Sequence, residues 1–275
     1  RKPGEKFGSH LTDRYLHFAN SIQKKVAEID PEVSVFMYIY SDYRYPPRRE
    51  KADPRLLLGF VPGMLEYDQV AMMYGQWKKA GAKNLMLRPN DQHVNTGLPM
   101  GFEKLMFDHF QLGVKNGVVA SDYDSCHNFW PATGIADYIL LRAHSDPSKT
   151  FEYWEQEYCS AYGDAAEAVR DYYRYFRNEV WEKRLYPNRM EIQRLGRYGN
   201  FRRGIMWNIA KFYAIEDFDR TDEILNGARN KRLTESERSR LENLILANQH
   251  ARLTYQAIVA KNKFLPGRKL LRFRE

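Results

Sequence analysis

VSVFMYIY (33–40), LLLGFV (56–61), NLMLR (84–88) and GVVAS (117–121) are the four stretches that decide the fold of this chain. Each is short, mostly apolar and without internal charge, which is typical of strands covered on both faces. A helix-length segment or a long loop separates each stretch from the next, and such connections favour right-handed crossovers over hairpins. The sequence therefore predicts four adjacent parallel strands in chain order, in a sheet that is either open or closed into a barrel.

Helical patterns precede three of these strands. Apolar residues recur every three or four positions in three segments, which are residues 12–30, 67–80 and 102–114. Thr12 or Asp13 is the expected N-cap of the first helix, and Gly81 and Gly117 are the expected C-cap glycines of the other two. Residues 43–55 contain three prolines and are predicted to form a loop instead.

The second half of the chain is predicted to be helical. An aromatic stripe with helical spacing runs over residues 151–180 and indicates two helices divided at Gly163 and Asp164, with the rings in a core. Further helices are predicted over residues 200–215, 219–230 and 234–261. The last begins with a Thr234-x-x-Glu237 capping box. We expect an α/β domain over residues 1–134 and a helical domain over residues 135–275.

Polar and aromatic residues follow the predicted strands. The carboxyl ends of parallel strands meet at one edge of a sheet, so these side chains are candidates for a common site. The candidate catalytic carboxylates are Glu66, Asp91, Asp122 and Asp124. The candidate substrate-binding residues are Tyr40, Asp42, Tyr43, Arg88, His93, His127 and Trp130. Carboxylates together with flat rings suit sugars, which offer hydroxyl groups to hydrogen-bond and C–H faces to stack on. The same residue types also cap turns and fill barrel rims.

Several other functions lack a signal in the sequence. Neither His-x-x-x-His nor Cys-x-x-Cys nor a Gly-rich phosphate loop occurs, so no metal and no cofactor is predicted. No run of 18 apolar residues occurs, so no membrane span is predicted. Residues 183–275 carry 21 Lys and Arg against 10 Asp and Glu. This excess could attract nucleic acid or an acidic partner, but its dispersal along amphipathic helices favours a solvated surface.

Three stretches resemble a known family. They are TDRYLHFAN (12–20), residues 38–47 with their double proline, and IADYILLRAHSDPSKTFEYWEQEYCSAYGDAAEAVRDYY (135–173). They look like a bacterial domain-of-unknown-function family found in large secreted polysaccharide-utilisation proteins, whose barrels are similar to those of alpha-glucuronidases and other glycoside hydrolases. The matching positions are Tyr138, Leu140, Asp146, Pro147, Tyr162, Gly163, Ala165 and Ala166. The chain departs from the family pattern at residues 143–145, where a leucine–tryptophan pair commonly precedes the Asp-Pro.

The resemblance implies an architecture and a function. The four strands would be strands five to eight of a (β/α)8 TIM-type barrel, followed by a helical domain, with the first four strands in a missing N-terminal half of the same protein. The protein would be extracellular or periplasmic and would act on carbohydrate as a glycoside hydrolase. Such an enzyme needs two carboxyl groups, about 5–5.5 Å apart for retention or roughly 6.5–9.5 Å apart for inversion. A glycan-binding module without catalysis and an interaction domain based on the basic helices remain as alternatives.

Overall fold

The structure, a computed structural model, describes residues 9–90, 97–124, 130–196 and 200–264. Within these residues it is a mixed α/β fold with a four-stranded parallel sheet. The first elements in chain order are α1 (Ser9–Ile29), β1 (Phe36–Ile39), β2 (Leu57–Phe60), α2 (Tyr67–Lys79), β3 (Asn84–Leu87), α3 (Glu103–Lys115) and β4 (Ala120–Ser121). The following helices are α4 (Trp130–Ser145), α5 (Phe151–Ser160), α6 (Ala166–Tyr175), a π-helix (Phe176–Leu185), α7 (Arg189–Leu195), α8 (Phe201–Trp207), α9 (Ile209–Phe212), α10 (Ile215–Gly227) and α11 (Glu235–Phe264).

The predicted strand order is confirmed. The strands lie in the order β1-β2-β3-β4, and all three neighbouring pairs are parallel. One register row runs across the whole sheet through Tyr38, Gly59, Met86 and Ala120. Each strand is shorter than its apolar run, because hydrophobicity marks the residues that pack against a core and not the residues that form ladder hydrogen bonds.

One face of the sheet carries the core of this region. Buried strand residues on this face pack with buried residues of α1, α2 and α3, and the cluster includes Leu16, Met37, Ile39, Leu58, Phe60, Met73, Trp77, Leu85 and Leu112. On the other face Phe36, Tyr38 and Tyr40 are 39%, 38% and 42% exposed. The expectation that the strands are covered on both faces is therefore wrong for β1. Its alternating pattern of buried and exposed residues is that of a half-covered strand.

The predicted loop between β1 and β2 is held in place by side chains of two helices. Beyond a 3-10 turn at Ser41–Tyr43 it contains no helix. Oδ1 of Asp13 accepts hydrogen bonds from the backbone amides of Arg48, Arg49 and Glu50, each 3.0 Å long. Asp13 was expected to be an N-cap, but α1 begins one turn earlier at Ser9, so this carboxylate is available to fix the loop.

The chain divides into two compact units. One consists of Arg1–His93 and Met106–Cys126, and the other of Val94–Leu105 and His127–Glu275. The second unit has the predicted aromatic core, because Trp154, Tyr158, Tyr162, Tyr173 and Phe176 are all buried. The hydroxyl of Tyr158 lies 3.4 Å from that of Tyr162 and 3.2 Å from that of Tyr173. Burial of the aromatic stripe is therefore confirmed.

Details of the helix ends differ from the sequence predictions. Asp164 is not an N-cap, since Gly163–Ala165 forms a 3-10 turn and α6 begins at Ala166. The helix predicted over residues 200–215 is divided into α8 and α9 at Asn208. The capping box at the start of α11 is confirmed, because the amide of Thr234 donates to Glu237 at 2.8 Å and the amide of Glu237 donates to Thr234 at 3.4 Å.

No helix of the described region combines the length and the apolar character that crossing a bilayer requires.

Two C-cap glycines provide a matched test of the fold. Gly81 and Gly117 both have positive φ, 101° and 72°, but a Cβ on Gly81 would lie 2.8 Å from the backbone oxygen of Ala52, whereas a Cβ on Gly117 would meet nothing within 4 Å. We expect Gly117→Ala to cost about 1–2 kcal/mol of unfolding free energy for its left-handed backbone. Gly81→Ala should cost roughly 2–5 kcal/mol, because steric overlap is added. Urea denaturation of both variants measures the difference, and equal losses would contradict the predicted contact with Ala52.

Candidate functional site

Arg88 is the centre of the candidate site. It follows β3 directly, and its backbone amide donates to the carbonyl oxygen of Phe60 at 2.8 Å, which extends the ladder between β2 and β3 by one step. Its side chain is only 18% exposed. Nη1 donates to Oδ2 of Asp124 at 2.9 Å, and Nε lies 3.4 Å from Oδ2 of Asp122. One guanidinium group therefore forms ion pairs with two carboxylates.

The backbone after β4 places these carboxylates. The amide of Asp122 donates to the carbonyl of Leu87 at 2.9 Å, and the amide of Asp124 donates to the carbonyl of Pro89 at 3.1 Å. The segments that follow β3 and β4 therefore remain paired beyond the strand ends. Because residues two apart on an extended chain point to the same side, both carboxylates reach Arg88.

One aromatic ring of β1 lies beside Arg88. Its Cζ atom is 5.1 Å from the centroid of the Tyr38 ring, a cation–π geometry. Nδ2 of Asn90 donates to the hydroxyl of Tyr40 at 3.2 Å. Phe36 meets Tyr38 edge to face, with centroids 4.7 Å apart. We use the name strand-end cluster for Tyr38, Tyr40, Arg88, Asn90, Asp122 and Asp124.

Electrostatics limits what the strand-end cluster can do. Burial alone would lower the pKa of Arg88, but its hydrogen bond to Asp124 and the charges of Asp124 and Asp122 raise that pKa overall. Asp122 and Asp124 are therefore the ion-pair partners of this cation. Ionised carboxylates accept hydrogen bonds from hydroxyl groups, whereas a general acid must hold a proton that it can donate. The cluster is therefore better suited to binding hydroxyl groups than to donating protons.

The remaining described site candidates have contacts elsewhere. The ring of Tyr43 lies 4.4 Å from that of Tyr15 and packs against the core on the covered face of the sheet. Burial, together with the neighbouring tyrosines, raises the pKa of Tyr43. Asp42 lines a groove beside the loop that follows β1. Glu66 precedes α2, where its amide donates to Oε1 of Gln69 at 3.3 Å.

Four candidates lie wholly or partly outside the described residues. Asp91, His93 and His127 lie outside the described residues, and so does the side chain of Trp130, whose backbone begins α4. Their proposed roles stay predictions. Among the residues that the structure does describe, no group of three or more His, Cys, Asp and Glu side chains is arranged to hold a metal ion.

Sequence reasoning missed Tyr38 as a member of the strand-end cluster. It placed Asn90 among the polar residues after the third strand but did not make it a site candidate. Tyr38 was assigned to the strand interior, although its position two residues before Tyr40 places it on the same face of an extended chain. Asn90 is likewise two residues after Arg88. The alternation of exposed residues along β1 was the signal available for Tyr38, and it was obscured because the exposed residues of this strand are aromatic and appear apolar.

Comparison with known proteins gives one match. The family described as "Domain of unknown function (DUF4838)" matches residues 2–174, which include the sheet, the strand-end cluster, α4 and α5. No curated protein and no solved structure matches the chain.

Removing the shared cation tests the strand-end cluster. In Arg88→Met, the exposed carboxylate of Asp122 and the partly buried carboxylate of Asp124 lose their partner. We expect a loss of about 1–3 kcal/mol of unfolding free energy, below the cost for a fully buried pair. Arg88→Met combined with Asp122→Asn and Asp124→Asn should recover part of that loss. The control is Arg194→Met, which removes a 71% exposed side chain that pairs with Glu191, and it should be as stable as the parent because an exposed ion pair contributes little. Urea denaturation that finds Arg88→Met as stable as the parent would contradict the ion pairs.

Proposed function

The chain belongs to the DUF4838 family of unknown function, and we propose that its sheet forms the carbohydrate-binding end of a glycoside-hydrolase-like barrel. In this proposal β1 to β4 are strands five to eight of a (β/α)8 barrel. The missing N-terminal half of the same protein supplies the other four strands. The protein acts on a polysaccharide or glycan outside the cytoplasm, as the resemblance to secreted polysaccharide-utilisation proteins implies.

The one-sided covering of the sheet is the observation that carries the barrel proposal. In a (β/α)8 barrel the helices lie outside and the inner strand faces point to the interior, whereas a doubly wound sheet has helices on both faces. Here α1, α2 and α3 contribute to one core on one face. Phe36 and Tyr38 of the opposite face are bulky enough to serve as interior layers of a barrel.

Hydrogen exchange tests this proposal. Among the described residues β1 pairs with β2 and with no other strand, so in the chain alone its backbone amides that face away from β2 are expected to exchange rapidly. In a longer protein that includes the upstream half, strand four of the barrel would pair with β1. The same amides should then exchange at least about tenfold more slowly. Amides of β3, which has a neighbour on each side, serve as the internal control. Unchanged exchange in β1 would contradict the closed barrel.

The strand-end cluster supports carbohydrate as the ligand. It lies at the carboxyl edge of the strands, where barrel enzymes bind substrate. The Tyr40 ring offers an exposed flat surface for a sugar face, and Asp122 and Asp124 offer acceptor oxygens for hydroxyl groups.

A non-catalytic glycan-binding module is the second candidate, favoured by one observation. Arg88 pairs with both Asp122 and Asp124, so neither is arranged as the acid of a glycosidase pair. Catalysis would then require another carboxyl group, for which Glu66 and Asp91 are the candidates. A nucleic-acid or protein interaction through the basic C-terminal helices is a third and weaker candidate.

Glycan binding by the full-length protein tests the function. We expect Tyr40→Ala to weaken binding at least about tenfold, because a stacking ring is lost. Tyr153→Ala removes a tyrosine that is 48% exposed on α5, and it should bind like the parent. Affinity electrophoresis in soluble polysaccharides measures both variants. The glycan proposal fails if the parent binds no polysaccharide, or if Tyr40→Ala and Tyr153→Ala weaken binding equally.

Hydrolysis by the same proteins separates the two candidates. If the protein is an enzyme that uses these carboxylates, Asp122→Asn or Asp124→Asn should abolish product release while the fold is retained. Full activity in both single variants and in the double variant would remove Asp122 and Asp124 from the mechanism. Binding by a parent that releases no product would favour the binding module.

A further inference from the structure

A basic groove lies beside the loop that follows β1, within the unit that contains the sheet. It has a volume of about 990 Å³, and the loop and the C-terminal part of α2 line it. Four cationic side chains, Arg44, Arg48, Lys51 and Lys79, border it together with a single carboxylate, that of Asp42. The lining therefore has a formal charge of +3, which creates a positive potential in a concave space.

Two of these cations have neutral partners. Nη1 of Arg44 donates to the carbonyl oxygen of Pro62 at 3.2 Å, and Nζ of Lys51 donates to the carbonyl oxygen of Lys79 at 2.9 Å. Carbonyl acceptors satisfy a hydrogen bond but leave the positive charge without a counter-charge. Nε of Arg44 is buried, and it makes no hydrogen bond to any described residue. A buried donor of this kind is usually satisfied, so it calls for an explanation.

The loop that carries three of the cations is preorganised. Asp13 accepts three consecutive amides of the loop, and Nε1 of Trp77 donates to the carbonyl of Arg44 at 3.0 Å. Nδ2 of Asn20 donates to the carbonyl of Lys51 at 2.7 Å, and two prolines fix φ in between. Ordering the loop therefore adds little to the cost of binding.

We propose that this groove binds a small oxyanion group, namely a carboxylate, a sulfate or a phosphate. Guanidinium and ammonium groups form charge-assisted hydrogen bonds with such groups, and these are stronger than neutral ones. The guanidinium group of Arg44 and the ammonium group of Lys79, which both belong to lining residues, are the intended contacts. Asp42 lowers the affinity for a bare anion and can accept a hydrogen bond from a hydroxyl group beside it. This site is separate from the strand-end cluster and does not depend on the proposed glycan function.

Calorimetry on the full chain at fixed, low ionic strength tests the proposal with three probes: inorganic sulfate, inorganic phosphate and glucuronate, with glucose as the neutral comparison. We expect saturable binding of at least one anion and none of glucose. Lys79→Met should weaken anion binding about tenfold, because one charge-assisted hydrogen bond is lost. Asp42→Asn should strengthen it, because a repelling charge is removed. Lys25→Met, a loss of an exposed lysine on α1, is the matched control and should bind like the parent.

The outcomes separate the possible sources of the anion. Glucuronate that binds more tightly than sulfate and phosphate identifies an acidic sugar, and the reverse order identifies an inorganic anion. Either order supports an oxyanion site. Absence of saturable binding, an equal loss in Lys79→Met and Lys25→Met, or weaker binding in Asp42→Asn would overturn it. Circular dichroism of each variant is the control for folding. Lys79 is exposed at the end of α2, so we expect its substitution to leave the core intact.

Discussion

The one-sided packing of the sheet is the constraint on which the rest of this structure depends. Since α1, α2 and α3 all bury the same face, every second residue of β1 remains accessible on the other face. Gly59 in β2 makes this arrangement possible, because a Cβ there would lie 2.5 Å from Cζ of Phe36. The missing side chain lets the Phe36 ring lie across the neighbouring strand. The exposed face therefore has an ordered aromatic surface, and the cation–π contact of Arg88 with Tyr38 is built on it.

Parallel pairing that continues past the strands then brings distant residues together. β4 has only two residues, yet the amide of Asp122 donates to Leu87 at the end of β3 and the amide of Asp124 donates to Pro89. Pairing therefore continues for three residues beyond β4. Charged side chains on loops are usually free to move, so ordering them into a cluster costs side-chain entropy. Here the backbone already fixes the spacing of both carboxylates, so Arg88 needs to order little more than its own side chain. This explains how a short strand can support a precise group of charges.

The order and direction of the strands could be predicted from the sequence, because short apolar runs with long connections leave few other topologies. The sequence did not allow a prediction of which face of β1 is covered, because Phe36, Tyr38 and Tyr40 are as apolar as core residues. The packing of the helices decides which face is buried. Eight residues that follow the strands were predicted to share one cleft, namely Tyr40, Asp42, Glu66, Arg88, Asp91, His93, Asp122 and Asp124. The structure places Arg88 beside Asp122 and Asp124 and joins Tyr40 to Asn90, whereas Asp91 and His93 lie outside the described residues. Asp42 and Tyr43 directly follow Tyr40 but leave that surface, because a turn redirects the chain, and turn geometry is weakly encoded in residue type.

Ser41 is the residue at which the chain is redirected, and it separates two sites of different charge. Its φ is 50°, the one non-glycine residue with positive φ in the described part of the chain. A left-handed backbone at serine costs about 1–2 kcal/mol, which the surrounding contacts must offset. Tyr40, before this turn, belongs to the strand-end cluster, where Arg88 is already balanced by two carboxylates. Asp42, after it, belongs to the groove, where cations are in excess. A single residue with a strained backbone therefore separates two adjacent side chains. Tyr40 lies in a cluster with two carboxylates, and Asp42 lies in a groove lined mainly by cations.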